Sequence, residues 1–526
     1  MTKAVPLPRV TYSNTHADFT AVHVLLDALI PQLKNQLLGK TWAHRIANQE
    51  VEKGTLYEAF SPIDQRISLG HFYKADTETV EAAVITARNA QTEWAATSWQ
   101  RRLEVMRKFA DRLEANKFEL AVACLLEVGK SRLEAMGEAE EAIDLVRYYS
   151  DQMEQNNGFI RSMQRAFANE ETSDCLRPFG VFGIIAPFNF PLALSVSMIS
   201  AALIAGNSVV YKPSEYAGLT GVLITRAAEE AGLPAGLLNL ICGNGETGQA
   251  MIDNPLFDGF GFTGSYKVGT SILRSVASGT FNRPVIVEMG GKNPTYVAAS
   301  ADIERAAQGV MRSAFGLQGQ KCSAGSKVYV HNNVRDAFVD RLVSLAQAIK
   351  IGNPEDQSVF MGPVINEESY KRFAHACADA SRDGRILTGG KRLSGGLYDH
   401  GFYVEPTIVD GLSSDHKFHK TELFLPFLTV QTFDDLVQAI AEGNAVDYGL
   451  TAGCYATEQK EIELFLDQAQ AGALYVNRAS GATTGAWPGI QTFCGWKGSG
   501  VSGKGGLGPY YLQQFMREQS RTVWHD

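Results

Sequence analysis

The chain has 526 residues, of which 45% are hydrophobic and 20% are charged, and its formal net charge is −9. This length exceeds what one hydrophobic core normally organises, so we expect two or three domains. Because no block of Lys and Arg stands out in this acidic chain, we expect neither nucleic acid nor an anionic membrane as a partner.

The number and spacing of the cysteines indicate whether the protein resides in an oxidising or a reducing cellular compartment. The seven cysteines are scattered and odd in number, none forms a CxxC pair, and no HExxH motif occurs. We therefore expect no disulfide framework and no metal site. The first residues, MTKAVPLPRVTYSNTHADF, contain no apolar segment of the kind that a signal peptide needs. These features favour a cytoplasmic protein.

Helices are predicted in the first third of the chain. Residues 1–55 are irregular in pattern, apart from an apolar helix candidate at 21–37. Further on, apolar residues recur at intervals of three and four with charges between them, which is typical of amphipathic helices. This pattern covers residues 77–94, 98–130 and 138–155.

The stretch 181–211 contains no charged residue, and its length alone would allow a membrane span. However, Pro187, Asn189 and Pro191 interrupt it. The runs VFGIIAP, LALSVSMISAALIAG and NSVVYKP are better interpreted as strand, helix and strand, because parallel strands covered by helices on both faces are apolar in this way. We therefore predict no membrane segment.

Strand-like and helix-like runs continue to alternate up to about residue 290, which predicts a doubly wound parallel α/β sheet. Ligands bind at the carboxyl ends of the strands in such sheets. The residues predicted at those ends are Asn189, Lys212, Glu215, Gly264 and Glu288.

A second βα series follows and predicts a second α/β domain that carries Cys322. Its elements are a helix at 302–315, a strand at 327–332, a helix at 334–349 and later strands at 427–433 and 473–477. The glycine-rich run WKGSGVSGKGGLG then leads into an amphipathic tail.

Cys322 lies in the glycine-rich run GLQGQKCSAGS, and Glu288 ends the strand-like run VIVE. A nucleophilic thiolate and a carboxylate that activates water are the groups needed for acyl chemistry through a thioester. Taken by itself, however, a lone cysteine is more often a buried structural residue.

Three loop motifs allow both a functional and a structural interpretation. FTGSYKVG could present backbone N–H groups to a phosphate, but it lacks the GxGxxG pattern and equally suits a tight turn. In KPSE, Lys212 and Glu215 could bind ribose hydroxyls or be solvated loop charges. In PFNFP, the Asn189 amide could stabilise an oxyanion or bond the turn backbone.

The motifs PFNFP, KPSE, FTGSYKVG, EMGGKNP, GQKCSAGS and TELFLP occur in this order between residues 40 and 520. In this combination the chain resembles the aldehyde dehydrogenase superfamily. The resemblance implies that Cys322 is the nucleophile, Glu288 the general base and Asn189 the oxyanion-stabilising amide. It also implies oxidation of a small-molecule aldehyde to a carboxylate, with NAD as the hydride acceptor and without a metal.

The resemblance further implies a cofactor site. Lys212, Ser214 and Glu215 match the contacts to the adenosine ribose, Gly264, Ser265 and Gly269 match the pyrophosphate region, and Glu422 and Phe424 match the nicotinamide end. NAD is expected over NADP, because the Glu215 carboxylate would repel a 2′-phosphate. Lys212 works against this expectation, since it could pair with that phosphate.

Within the superfamily, the run TTGAWPGIQTFCGWKGSG resembles the 1-pyrroline-5-carboxylate dehydrogenases, which oxidise L-glutamate γ-semialdehyde to glutamate in proline catabolism. The run EAEEAIDLVRYY and the serine after the nucleophile add to this resemblance. It implies that backbone N–H groups of Gly485 and Ala486 bind the substrate carboxylate, with help from Ser323.

The chain departs from that branch at three places. Residues 492–495 read TFCG instead of PFGG, Leu425 replaces a glycine, and the loop between Asn477 and Gly485 is longer. Dehydrogenation of a different semialdehyde therefore stays open. Two further alternatives are a coenzyme A-acylating enzyme and a catalytically silent member of the fold.

The resemblance also divides the chain. Residues 1–157 and 178–289 would form the NAD-binding domain, and residues 290–497 the catalytic domain. Residues 158–177 and 498–526 would form a small β flap for a homo-oligomer, a dimer or higher, because unpaired strand edges are usually covered.

Overall fold

The computed structural model describes residues 7–14, 17–479 and 483–526. Numbered along the chain, its strands are β1 Thr41–Trp42, β2 His44–Ile46, β3 Gln49–Val51, β4 Thr55–Ser61, β5 Asp64–Lys74, β6 Ile160–Ser162, β7 Glu170–Pro178, β8 Val181–Ile185, β9 Ser208–Lys212, β10 Leu238–Leu240, β11 Gly259–Gly264, β12 Val285–Met289, β13 Asn293–Val297, β14 Gly325–His331, β15 Arg385–Thr388, β16 Thr407–Asp410, β17 Phe427–Phe433, β18 Tyr448–Gly449, β19 Thr451–Tyr455, β20 Ala473–Val476, β21 Trp496–Lys497 and β22 Met516–Trp524. Its α-helices are α1 Thr20–Leu37, α2 Thr77–Ala96, α3 Trp99–Ala115, α4 Lys117–Val128, α5 Arg132–Gln155, α6 Ala193–Ala205, α7 Gly218–Glu230, α8 Gly245–Asp253, α9 Tyr266–Ala277, α10 Ile303–Phe315, α11 Arg335–Gln347, α12 Glu367–Asp383, α13 Leu436–Asn444 and α14 Gln459–Gln468.

The first large sheet has the strand order β12-β11-β8-β9-β10-β2-β3. The strands from β12 to β10 run parallel, whereas β2 and β3 are antiparallel. In β8, Phe182 and Ile184 join a core with α3 to α7, while Val181 and Ile185 join a core with α2, α8 and α9. The predicted doubly wound α/β sheet is confirmed. Burial on both faces explains the uncharged stretch 181–211.

The second large sheet has the order β15-β16-β17-β14-β13-β19-β20, with β15 antiparallel to its neighbour. Helices α10 and α11 pack on one face, and α13 and α14 on the other. Successive residues of β13, Tyr296 and Val297, point into these opposite cores. The predicted second α/β unit is therefore confirmed, with Cys322 between α10 and β14. Within the described ranges, no helix combines the length and apolarity needed to cross a bilayer.

The prediction of irregular structure before residue 55 is wrong for residues 41–51, which form three short strands. β2 extends the first sheet by pairing Arg45 with Leu240, and β1 joins β5 and β4 in a separate sheet. Strands of two or three residues are too short to show an alternating pattern, and their partners lie far along the chain. In addition, Asn116 divides the helix predicted at 98–130 into α3 and α4.

A further, antiparallel sheet of three strands combines β6 and β7 with the C-terminal strand β22. β22 pairs with β7 from Met516 opposite Pro178 to Trp524 opposite Glu170, and it is exposed after its first residue. This sheet lies in the segments predicted as the flap. Residues 498–511 are different, because Gly500 pairs with Glu288 of β12 and the Leu507 N–H donates to the Tyr149 hydroxyl.

Candidate active site

The carboxyl ends of β8, β9, β11 and β12 lie along one edge of the first sheet, because these strands are parallel. The second sheet contributes the turn between α10 and β14 at this edge. Contact between the two is direct: the Asn189 Nδ2 atom donates a hydrogen bond to the Gln320 carbonyl oxygen at 3.0 Å. The predicted nucleophile and the predicted oxyanion amide are thus brought together.

The turn that carries Cys322 has an unusual backbone. Leu317 and Gln318 have positive φ angles of 48° and 55°, a conformation that residues with side chains adopt only when the surroundings impose it. Distant side chains supply that restraint. Asn293 Nδ2 donates to the Cys322 carbonyl oxygen at 2.7 Å, and a Glu134 carboxylate oxygen accepts from the Leu317 N–H at 2.8 Å.

The Cys322 side chain is half-buried. Burial raises the pKa of its thiol well above the usual range, and the negative charges of Glu288 and Glu422 raise it further. The thiol is therefore protonated at neutral pH in this state of the protein. Since only the thiolate is a strong nucleophile, a base in the same site has to take its proton.

Glu288 can be that base. One of its carboxylate oxygens is buried and has no hydrogen-bond partner among the residues that the structure describes. Burial, followed by the charge of Glu141, raises the pKa of Glu288 to about 8. A carboxyl group with such a pKa gains and loses its proton near neutral pH, as a general base must.

A cavity of about 340 Å³ has four of the six predicted catalytic and substrate residues in its wall, but not Asn189 or Gly485. Cys322, Glu288, Ser323 and Ala486 all line it. Its wall also contains aromatic and charged side chains, namely Phe190, Phe493, Tyr511, Lys130, Glu134, Glu141, Arg312 and Lys321. This mixture suits a small ligand that carries charge as well as a carbon chain.

The backbone N–H groups predicted to bind the substrate carboxylate already have acceptors within the protein. The Gly485 N–H donates to the Gln491 side-chain oxygen at 2.8 Å, and the Ala486 N–H donates to the Thr484 hydroxyl at 3.0 Å. Both donors therefore have internal acceptors and do not form an open nest. Part of the longer loop noted in the sequence, residues 480–482, lies outside the described residues.

Sequence reasoning missed Tyr12 and Glu141. The Tyr12 hydroxyl donates to Glu141 at 2.8 Å, and its ring packs edge-on against Phe190 and Trp487 at centroid distances of 6.2 and 5.5 Å. Burial raises the pKa of Glu141 to about 7, and the Tyr12 hydrogen bond opposes that rise. Helical spacing within EAEEAIDLVRYY could have placed Glu141 on a buried face, but no local pattern predicts the position of Tyr12.

On the predicted cofactor side, Lys212 is buried, and its ammonium donates to the carbonyl oxygens of Pro213 and Gly243 at 2.9 and 3.0 Å. Burial lowers its pKa. The Ser214 hydroxyl accepts from the Tyr216 N–H. Glu215 is half-buried, so it is the more accessible charge of KPSE.

FTGSYKVG forms the end of β11 and the first turn of α9. Ser265 caps the helix by accepting from the Val268 N–H. Gly269 donates its own N–H to the Ser265 carbonyl, and a Cβ atom there would lie 2.5 Å from the Met289 sulfur. Gly269 thus permits close packing of α9 on β12, while Gly264 and Ser265 lie at the helix start, where anions bind.

Glu422 folds over the end of β12. Its carboxylate accepts from the Gly291 N–H at 3.0 Å, and a Cβ atom at Gly290 would overlap it. Burial raises the pKa of Glu422 to about 7. Phe424 has a positive φ of 57°, and its ring packs edge-on against Phe188 of PFNFP at 5.9 Å. The structure therefore brings TELFLP to the same edge as PFNFP.

A model of the aldehyde dehydrogenase family matches residues 49–521. The chain belongs to this family. Among its relatives, the 1-pyrroline-5-carboxylate dehydrogenase of Geobacillus sp. (strain WCH70) is 33% identical over 491 residues, covering 92% of this chain and 93% of that protein. A 1-pyrroline-5-carboxylate dehydrogenase of Bacillus subtilis (strain 168) is 33% identical over 495 residues, covering 93% and 94%.

Solved structures of proteins with related names are also similar to this chain. A 1-pyrroline-5-carboxylate dehydrogenase from Thermus with bound NAD has a TM-score of 0.92 at 28% identity, with full coverage of both chains. Proline utilization A from Bdellovibrio bacteriovorus has a TM-score of 0.91 at 34% identity. The match covers 96% of this chain and 52% of that protein, so this chain spans about half of it.

Proposed function

We propose that this protein oxidises L-glutamate γ-semialdehyde to L-glutamate with NAD, through a thioester on Cys322. The observation that carries this proposal is the shared cavity of Cys322 and Glu288, in a chain that aligns over nearly its whole length with 1-pyrroline-5-carboxylate dehydrogenases. The charged cavity wall suits an amino acid aldehyde, and Glu141 offers a carboxylate for the ammonium group.

The chemistry follows from the side chains in the cavity. The Cys322 sulfur attacks the aldehyde carbon after Glu288 takes the thiol proton. The second N–H of the Asn189 amide and the Cys322 backbone N–H stabilise the oxyanion. When bound, NAD accepts the hydride that leaves as the adduct collapses to a thioester. After Glu288 has passed the thiol proton to solvent, it removes a proton from water, and attack of this water on the thioester carbon releases the carboxylate and the Cys322 thiolate.

The residues present fit NAD. Glu422 lies beside the end of β12, Phe424 packs on Phe188 after β8, and both would border the nicotinamide end, while the start of α9 at Ser265 suits a pyrophosphate. Because the Lys212 ammonium already binds two carbonyl oxygens, Glu215 dominates the charge near the adenosine ribose. We therefore expect NAD to be preferred over NADP.

We also infer a homo-oligomer. The flap sheet exposes Ile160, Phe167, Val523 and Trp524, each by about half. On the second sheet, the edge strand β20 lies beside a groove whose wall includes Leu474 and Trp496. Exposed strand edges and apolar patches of this kind are usually covered by another subunit. A cytoplasmic location is proposed too, since all seven cysteines are free thiols.

We propose the domain boundaries predicted from the sequence, with one change. The flap strand begins at Met516, whereas residues 498–511 belong with the active site, because Gly500 pairs with Glu288 and the Ser499 hydroxyl donates to the Gly290 carbonyl.

The substrate assignment is tested with a panel of L-glutamate γ-semialdehyde, succinate semialdehyde and pentanal, assayed by NADH formation without coenzyme A. The first should exceed pentanal in kcat/KM by at least about tenfold, because one charge-assisted hydrogen bond is worth about 1.5–3 kcal/mol. Comparable efficiency on pentanal would leave a general aldehyde dehydrogenase. Strict dependence on coenzyme A would favour the acylating alternative, and faster NADP reduction would overturn the role of Glu215.

Cys322→Ala should lower turnover to less than about a thousandth of wild type, because removal of a covalent nucleophile leaves only a small residual rate. Cys377→Ala is the matched control, since Cys377 is a buried cysteine in α12, packed in a separate core. Retained turnover in the first variant, or equal loss in both, would contradict the assignment.

A further inference from the structure

Arg312 lies in the last turn of α10, and its half-buried side chain lines the cavity that contains Cys322 and Glu288. Burial lowers the pKa of its guanidinium, and no charged group opposes this effect. The described part of the chain places no carboxylate within 4.0 Å of it. Residues 1–6, 15–16 and 480–482 contain no Asp or Glu, so the remaining sequence offers no acidic partner either.

Of the other cations around the cavity, Lys130 and Arg132 are engaged in ion pairs. Lys321 is nearly fully buried, with the Glu134 carboxylate as the main nearby opposite charge, although the described residues give it no ion pair within 4.0 Å. Lys130 is fully buried and pairs with Glu138 at 2.6 Å. Arg132 pairs with Asp27 at 2.5 Å and also donates to the Glu355 carbonyl oxygen. Arg312 differs from these two in having a charged, donor-rich head group without an ion-pair partner. Partial burial of such a group is unfavourable unless a ligand or water supplies acceptors.

The backbone N–H groups of Gly485 and Ala486 are expected from the sequence to bind the substrate carboxylate. They are not free to do so, because they already donate to Gln491 and Thr484. A carboxylate entering the cavity would have to displace both side chains to reach those N–H groups. Arg312 needs no such displacement. Its planar guanidinium can bind both oxygens of a carboxylate at once, which gives direction as well as strength.

We propose that Arg312 binds the carboxylate of the substrate and thereby determines the preference of the enzyme for acidic aldehydes. This inference rests on the proposed aldehyde oxidation, and it names the group that recognises the charged end of the substrate. The aldehyde end reaches Cys322 while the carboxylate is held by α10, the helix that leads into the catalytic turn.

The test is Arg312→Gln, assayed with L-glutamate γ-semialdehyde and with pentanal, which has the same chain length without the charges. Loss of a charge-assisted hydrogen bond should lower kcat/KM for the semialdehyde by roughly 10- to 150-fold, mainly through KM. The value for pentanal should stay within about threefold. Arg312→Lys should restore part of the loss. Arg305→Gln, on an exposed position of the same helix, should behave as wild type on both substrates.

A binding measurement separates recognition from a structural role. Calorimetric titration with glutamate, the proposed product, should show weaker binding to Arg312→Gln and unchanged binding to Arg305→Gln. The melting temperature of Arg312→Gln should not fall, because no internal ion pair is lost. A lower melting temperature with equal losses on both substrates, or unchanged glutamate binding, would overturn the inference.

The panel also distinguishes this inference from the proposed function. If wild type prefers succinate semialdehyde and Arg312→Gln removes that preference, Arg312 keeps its role and only the substrate assignment fails. If wild type prefers L-glutamate γ-semialdehyde and Arg312→Gln leaves the preference intact, the proposed function stands and the role of Arg312 is refuted.

Discussion

Glu288 and Cys322 face the same cavity with raised pKa values. The cause is the same for both, since burial penalises the charged form of a carboxyl and of a thiol. At neutral pH each group therefore holds its proton much of the time. In the proposed mechanism the first proton transfer, from the thiol, requires the ionised form of Glu288, so activity is expected to depend on pH around the pKa of this residue.

Glu288→Gln should lose the NADH burst, and its steady turnover should fall about 10²- to 10⁴-fold, because the proposed mechanism uses Glu288 as the base for both the thiol and water and general base catalysis contributes on this order. In wild type, steady turnover should rise with pH through about 8, the pKa of Glu288. The variant should lack this rise. A variant with near-normal steady turnover would refute the role, and a retained burst would restrict it to the activation of water.

The same carboxyl group links stability to pH. An unfolded glutamate has a pKa of about 4.3, so from roughly pH 4 to pH 8 the folded chain retains a proton that the unfolded chain has lost. The stability contributed by this group is present at low pH and falls as pH rises through the folded pKa of about 8. The melting temperature of Glu288→Gln relative to wild type should therefore increase between about pH 5 and pH 8.

At the scale of elements, the N-terminal segment 7–14 packs on α5 and forms part of the cavity wall. Val10 is fully buried, and Tyr12 lies over Gly137, where a Cβ atom would approach the ring to 2.9 Å. Glycine inside a helix normally destabilises it by about 1 kcal/mol. Here its absent side chain makes room for Tyr12, which donates to Glu141.

Tyr12→Phe keeps the ring but removes this hydrogen bond, so the pKa of Glu141 should rise above its present value of about 7. At pH 7 less of Glu141 would be ionised to hold a substrate ammonium group. KM for L-glutamate γ-semialdehyde should increase by about 3- to 10-fold, and less so at higher pH, whereas KM for pentanal should not change.

Tyr73→Phe provides the control, because Tyr73 donates to Glu52 in an exposed pair of the same type at 3.3 Å. Equal effects of the two variants, or equal effects of Tyr12→Phe on both aldehydes, would show that Tyr12 does not act through Glu141.

At the scale of the whole molecule, the proposed homo-oligomer depends on the exposed flap. β22 is exposed over all but its first residue, and the rings of Phe167 and Trp524 pack on each other at 5.8 Å while both stay about half exposed. A stable monomer would leave this sheet edge and its apolar side chains in water. Association of subunits through the flap would remove both the strand edge and these apolar side chains from water.

Light scattering should therefore report at least twice the subunit mass of 57.3 kDa. Trp524→Glu should shift the protein toward monomer at micromolar concentration, since a buried, unpaired charge opposes association. Ile85→Glu, a similar change at an exposed apolar residue of α2, should leave the mass unchanged. A wild-type monomer, or no effect of Trp524→Glu, would contradict assembly through the flap.

Much of this organisation could be predicted from the sequence. The order of strands and helices from Val181 onward follows from apolar runs separated by turns, because each run has to be buried on a parallel sheet. The positions of Glu288 at a strand end and Cys322 in a glycine-rich turn follow from the same local pattern. Residues at carboxyl ends of parallel strands share one edge, so the sequence also predicts their proximity.

Only the tertiary structure decided which groups are already paired. The sequence presents Gly485 and Ala486 as open donors, but Gln491 and Thr484 occupy them. It presents Arg312 as one charge among 48 Lys and Arg residues, and only the fold leaves that guanidinium in the cavity without a carboxylate. Tyr12 reaches Glu141 across 129 positions of chain. Local sequence patterns indicate which secondary structure a residue favours. Burial and hydrogen-bond pairing depend on segments that are far apart in the chain and meet only in the folded protein.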